Sequence, residues 1–430
     1  MNRSRLARRA IAAALVLTIA ACGGPSSSPS GSGEDDTELV FWHYFTDREE
    51  LLQQFADEYE AETGVSIDLV LVPGDTLGQK FQAAAQAGTL PDLSAAWAGV
   101  GEETAPYARE GQIADLSEAM AAGWSDRFEP SLLAAASFPE GNGFDVPPGP
   151  YLVPLDSTNM QILYNKEMFA EAGINEPPTT WDDFIAAGQQ LAEAGFEPFT
   201  AEFGQWPLSS FSQVYQWNVI GEEDLKATFG GTMPYTAEPW VRMLGLFEQL
   251  GQAGILADGT ITNDAPAAES LFVNGQAAML FDGSWALGVF KQQNPSFTDY
   301  GVFVPPSAGD QPVRLPGGVG AMVFAVGSSP HRDEAVEFLQ WLTDTDRQRT
   351  YASESLNLPA NTDAVDDGLD ENLAAFAAAG DMVAPTLPSP MPGEVETTMT
   401  KGIQRILQGQ DTPEGVAALM QKAAETGQAQ

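Results

Sequence analysis

The chain has 430 residues and carries 60 acidic against 19 basic ones, a formal net charge of −41. That excess argues against nucleic acid as a partner, because phosphates need lysine and arginine, and against docking on anionic lipid through charge. Otherwise it bears on solubility, while 43% hydrophobic residues supply enough material for two or more domains with real cores.

Arg3, Arg5, Arg8 and Arg9 are followed by the apolar run Ala10 to Ala21. This layout predicts an export signal over residues 1–21, too short to span a membrane as a stable helix. The run ends in Ile19-Ala20-Ala21-Cys22, which resembles the lipobox of bacterial lipoproteins. The resemblance implies a lipidated Cys22 as the mature N-terminus. Cys22 is the one cysteine of the chain, so the mature protein can form no internal disulfide. The Gly/Ser/Pro-rich stretch that follows, through residue 37, reads as a flexible tether.

The globular part opens with the apolar strand Leu39-Val40-Phe41. Thr46-Asp47-Arg48-Glu49 has the spacing of a capping box and predicts a helix start. Leu51, Leu52, Phe55 and Tyr59 recur at helical spacing up to Gly64; Val65, Ile67, Leu69 and Leu71 then alternate as a strand. Strand, helix, strand over this length is a βαβ unit with a right-handed crossover. An Ala-rich helix closed by Gly88 and the strand-like "DLSAAWAG" continue the pattern, predicting a doubly wound α/β domain.

The Gly/Pro-rich "PEGNGFDVPPGPYLVPLD" breaks this series. Beyond it come the strand "MQILYN", the helix "KEMFAEAG", the capped helix "TTWDDFIAAGQQLAEAG", and helix, strand and turn in "ESLFVNGQAAMLFDGSW". A second Gly/Pro stretch, "VPPSAGDQPVRLPGGVG", precedes the strand "AMVFAVGS" and the helix "HRDEAVEFLQWLTD"; two amphipathic helices close the chain. Two such breaks, with α/β material on both sides of each, suggest a chain that passes between two lobes more than once.

Catalytic and metal motifs are scarce. His43 and His331 are the only histidines, and the mature domain has no cysteine, which argues against a zinc or iron site. No calcium-loop spacing, nucleophile elbow or phosphate-cradling glycine motif occurs, and no cofactor is expected. Among 60 acidic residues a pair of glycosidase carboxylates cannot be picked out by pattern.

Tryptophans at element ends are the conspicuous feature. Trp42 follows the first strand, Trp97 the third, Trp206 lies in "EFGQW" and Trp285 follows Asp282-Gly283-Ser284. An indole face matches the C–H face of a pyranose, and nearby carboxylates can accept bonds from adjacent hydroxyls. Pattern alone leaves packing and binding equally open for these four. Trp181, Trp240 and Trp341, in or opening helical stretches, read as packing residues.

Over nearly the whole mature length the chain resembles the extracellular solute-binding proteins of family 1, sugar receptors of ATP-driven importers. The segments that carry the resemblance are "VFWH", "DTLGQKFQAAAQAGTLPDL", "VPLDSTNMQILYNKEMFAEAG", "PPTTWDDF", "NGQAAMLFDGSW", "PGGVGAMVFAV", "DEAVEFLQWL" and "LNLPAN". It implies a two-lobed, periplasmic-binding-protein-like α/β fold, each lobe a doubly wound sheet, joined by crossover hinge strands. Lobe 1 is expected over 38–153 with 313–345, lobe 2 over 154–312 with 346–425. Ligand contacts are implied at Trp42, His43, Trp97, Asp282, Trp285, Gly317 and Gly318, with Asp156 and Trp206 as further candidates. In this reading Trp285, with either Trp42 or Trp206, stacks on sugar rings, Asp156 and Asp282 accept hydroxyl bonds, His43 makes one bond at the cleft floor, and Gly317 and Gly318 let backbone amides approach. The expected protein is a monomer on the outer face of the cell membrane, held there by its lipid anchor alone. It hands a mono- or oligosaccharide to permease subunits and performs no chemistry. An anchored glycoside hydrolase, or a receptor for a polyamine or peptide, are the competing readings.

Overall fold

A computed structural model describes residues 37–428 except Asp367 and Pro388. The export signal, Cys22 and the tether up to residue 36 lie outside the described residues. The strands, in chain order, are β1 (Glu38–His43), β2 (Ser66–Leu71), β3 (Leu93–Ala95), β4 (Ser137–Phe138), β5 (Gly149–Pro150), β6 (Val153–Pro154), β7 (Asp156–Asn165), β8 (Glu197–Thr200), β9 (Ala277–Gly283), β10 (Tyr300–Phe303), β11 (Gly317–Val319), β12 (Met322–Ala325) and β13 (Leu358–Pro359).

β1 and β2 run parallel with Leu39 opposite Ile67 and Phe41 opposite Leu69. Between them α1 (Glu49–Thr63) buries Leu51, Leu52, Phe55 and Tyr59, the residues whose spacing predicts it. α2 (Gly74–Ala87) then leads to β3, which pairs parallel with β1. β12 and β6 complete this sheet in the order β2-β1-β3-β12-β6. Side chains alternate across it, as a pleated strand requires. Val323 and Ala325 enter the core with Phe55 and Phe338, while Phe324 enters a second core with Phe81 and Tyr151.

β7, β8, β9 and β10 form the other sheet, in the order β10-β7-β9-β8, with β11 and β13 paired to β7. It too is covered on both faces. Ile162 and Phe281 pack with Trp181, Phe184, Phe211, Trp240 and Phe247; Leu163 and Leu280 pack with Phe272, Phe290 and Phe376. Each sheet thus has helices on both sides and its own cores, which is the two-lobed α/β architecture. Only Leu155 separates β6 of the first sheet from β7 of the second. The chain returns between Val319, paired with β7, and Met322, paired with β6.

The expected capping box does not form. α1 starts at Glu49 rather than beside Thr46, and its N-cap is Arg48, without a side-chain cap bond. Arg48 instead turns its guanidinium inward to Asp47, Asp156 and Tyr351. A charge-assisted tertiary contact thereby outweighs a local cap of about 1 kcal/mol. Downstream, Thr180 does cap its helix, accepting from the Asp183 amide. Among the described residues no helix is long and apolar enough to cross a membrane.

Candidate ligand-binding site

In sheets containing parallel strands, ligands gather beyond the carboxyl ends. β8 and β9 are parallel, and both end in polar residues beside the start of the antiparallel β7. The backbone amide of Ser284 donates to the Asn159 carbonyl at 3.0 Å, and the hydroxyls of Thr158 and Ser284 lie 3.0 Å apart. Gln161 pairs across from Asp282 and donates to the Asn159 side chain at 2.9 Å. Asn159 in turn donates to the Phe376 carbonyl. The floor is a polar network fixed from several elements.

Two tryptophans stand at this end. Trp206 is 55% exposed, unusual for so large an apolar surface, and its ring lies 5.9 Å from that of Trp285 at 47°. Trp285 is partly buried and touches the cores on both faces of the second sheet. Its ring folds back over Gly283, where any β-carbon would fall inside van der Waals contact with it. Glycine in "DGSW" is therefore what lets the indole lie flat on its own turn.

Behind the tryptophans sit carboxyl groups. Asp282 is fully buried; its Oδ1 accepts from the Gly283 amide at 2.7 Å, its Oδ2 makes no well-aligned hydrogen bond, and the Trp285 indole N–H lies near the carboxyl and favours its charged form. Burial, with the charges of Glu269 and Glu202, pushes its carboxyl well above the usual range. Glu202, in the loop after β8, is pushed up to about 7 by burial and by Asp264. Glu269, on the helix Ala265–Val273, is pushed up to about 7 by burial and by Glu202. Desolvation disfavours a carboxylate, and like charges add to it. Among the described residues no group of three such side chains is arranged to hold a metal ion.

The first sheet contributes a second cluster. Trp42 is nearly buried at the end of β1, with the Lys80 ammonium 4.0 Å from its ring centroid. His43 is fully enclosed between Phe41 and Phe45, and neither ring nitrogen has a partner. Burial lowers its pKa, with Glu49 opposing weakly. Tyr44 covers Gly74 and Phe45 is buried, so both support the turn. Trp97 is partly exposed, its ring 4.9 Å from Phe81 and 5.6 Å from Tyr107. Together with Tyr107, Asp75, Gln79, Gln82 and Glu103 it lines a groove of about 490 Å³.

At the crossover, Asp156 is buried and fully engaged. It accepts from Arg48, from the Tyr351 hydroxyl at 2.6 Å and from the Ala321 amide. Asp47, next to Arg48, receives Gln292 on its carbonyl at 2.6 Å and Asn357 on its carboxylate. Gly317 and Gly318 lie on β11 against β7. A β-carbon at Gly317 would stand 2.8 Å from the Asn159 backbone, so its glycine serves close strand approach.

The nine candidate residues thus fall into three groups: Trp206, Asp282 and Trp285 at the second sheet; Trp42, His43 and Trp97 at the first; and Asp156, Gly317 and Gly318 at the crossover. Sequence reasoning missed Glu202, Glu269, Arg48, Tyr351 and Lys80. Glu202 alone had a usable signal, a carboxylate one turn before Trp206 in the same loop.

Two helix-covered sheets joined by adjacent crossovers, with aromatic and polar side chains at strand ends, define a two-lobed ligand-binding protein. The model of the bacterial extracellular solute-binding proteins matches residues 43–349, and the chain belongs to that family. It is similar to the sn-glycerol-3-phosphate-binding periplasmic protein of Rhizobium meliloti, 26% identical and covering 77% of each chain. Among solved structures it resembles a chitin oligosaccharide binding protein, with a TM-score of 0.72, 22% identity, and 92% of this chain and 100% of that one covered. It also resembles the cyclic alpha-maltosyl-1,6-maltose binding protein of Arthrobacter globiformis, with a TM-score of 0.68, 23% identity, and 91% and 98% covered.

Proposed function

We propose that this protein is an extracytoplasmic receptor that takes a carbohydrate into the cleft between its lobes and delivers it to the permease of an ABC importer. The observation that carries this reading is the exposed Trp206 beside Trp285, above a floor of hydrogen-bonding side chains at the ends of β8 and β9. Flat apolar faces next to fixed acceptors suit a pyranose, whose ring is apolar above and hydroxylated at its rim. Trp97 and its groove face supply a second aromatic contact from lobe 1. Asp282 accepts from a hydroxyl, and Gly317 and Gly318 border the ligand. Trp42, nearly buried, His43, enclosed by aromatic rings, and Asp156, whose carboxylate is already engaged, shape the cleft from behind. Lobe limits of 38–153 with 313–345 and 154–312 with 346–425 remain our reading, supported by the crossover at Leu155. Lipidation of Cys22 anchors the receptor, a monomer, on the outer membrane face.

The receptor binds without turnover. The sugar-binding solved structures support carbohydrate over the glycerol phosphate of the Rhizobium relative, and so does the site itself, where carboxyl groups rather than cations line the floor. A thermal-shift panel of mono-, di- and oligosaccharides, followed by calorimetric titration, tests the reading. Stabilisation by at least one sugar supports it. Shortened oligosaccharides after incubation would replace it with a hydrolase.

A further inference from the structure

We propose that the natural ligand is an oligosaccharide that outruns the cleft: rings beyond those held at Trp206 and Trp285 pass over Trp97 and onto the groove that lobe 1 carries along α2. This rests on the carbohydrate reading above and adds to it the ligand's length and the place of its far end.

Two glycines of the described chain hold an indole in the space of their missing β-carbon. One is Gly283 beneath Trp285; the other is Gly78, where a β-carbon would stand 2.9 Å from the Trp97 ring. Phe81, Tyr107 and Phe324 brace that ring at 4.9, 5.6 and 6.0 Å between centroids. Trp97 is nonetheless only partly buried, and it lines the groove of about 490 Å³. That volume lies within the range of ligand sites, about 300–1,000 Å³. A ring seated so firmly and left open on one side is a platform rather than a core residue.

The sequence lays out the rest of the groove. Asp75, Gly78, Gln79 and Gln82 stand at helical spacing on one face of α2. From Asp75 to Gln82 the helix rises about 10 Å, longer than a single pyranose. β2 and β3 both run parallel to β1, so α2 starts past the carboxyl end of β2 and runs back along the sheet. Its row of polar residues therefore leads away from the cleft, which lies beyond the carboxyl ends. Exposed Gln53, Gln54 and Gln421 each donate to a carboxylate four residues on. Gln79 and Gln82 have no carboxylate at that spacing. Among the described residues, the side chains of Asp75, Gln79, Gln82, Glu103 and Tyr107 have no hydrogen-bond partner. Two amides, two carboxylates and a phenol around an indole match the hydroxyls and apolar faces of successive sugar rings. Every wall of the groove comes from residues between Gly74 and Tyr107, so its shape does not depend on how the lobes are set.

Titration calorimetry with α-1,4-glucose, β-1,4-N-acetylglucosamine and β-1,4-xylose series, each from the monosaccharide to the hexamer, tests this. The same series are repeated on Trp97→Ala and on Gln79→Ala/Gln82→Ala. Both glutamines are exposed on a helix that alanine suits, and melting temperatures check that the fold is kept. In at least one series the affinity should rise about tenfold or more from the disaccharide to the hexamer, and by less than about threefold in either variant. Affinity that is flat with length, binding of monosaccharides alone, or a rise that survives both sets of substitutions would overturn the inference and leave the carbohydrate reading standing. No binding by any length of any series would overturn both.

Discussion

The indole of Trp285 rests directly on the backbone of Gly283, with no room for a β-carbon between them. Gly283→Ala should therefore lift the ring from its seat. Overpacking of this kind costs about 1–3 kcal/mol of stability, and sugar affinity should fall with it. Calorimetry and thermal melting of the variant check both; unchanged affinity would mean that the ring's position does not matter to the ligand.

Trp206→Ala separates binding from folding more cleanly. The side chain is more than half exposed, so the melting temperature should hardly move. Loss of a central aromatic anchor costs about 2 kcal/mol or more, roughly thirtyfold in affinity. A collapsed melting temperature with affinity retained would reassign Trp206 to packing.

Arg48→Met should cost about 3–5 kcal/mol, because it strands the Asp156 charge inside the protein. Tyr351→Phe removes one neutral donor to the same carboxylate and should cost about 1–3 kcal/mol. Urea unfolding ranks the two; the reverse order would show that the phenol, not the guanidinium, holds Asp156.

Stability should depend on pH in two opposed ways. Glu202 and Glu269 titrate near 7 when folded but near 4.5 when unfolded. Between these values the folded state holds more protons, so stability falls as pH rises from about 4.5 to about 7 and is level above that. His43 is lowered by burial, so its contribution runs the other way, weakening as pH falls below about 6.5. Unfolding free energies of the Glu202→Gln/Glu269→Gln variant across this range should lose the fall and expose the His43 slope. A parallel profile in both proteins would mean that the glutamates titrate normally.

Much of the scaffold was legible because it is local. The spacing of Leu51, Leu52, Phe55 and Tyr59 gives α1, alternation gives β2, and Thr180 caps its helix. The start of α1 was misread because its determinant, Asp156, lies 108 residues away from Arg48. The tryptophans of the site were legible as turn residues, though the enclosure of His43 was not, since it depends on what closes over β1. Glu202, Glu269 and Asp282 come from a loop, a helix and a strand whose proximity follows from β8 lying beside β9. Nothing in any one of these segments announces the other two.

β7 spans ten residues without a break. Its first residue, Asp156, is gripped by Arg48 and Tyr351; its fourth and sixth, Asn159 and Gln161, belong to the floor under Trp285. Three residues of extended chain measure about 10 Å. The joint between the lobes and the floor of the pocket are thus two stations on one stiff beam. A ligand that tugs on the floor loads the joint through covalent backbone alone, with no relay of side chains to align or to lose.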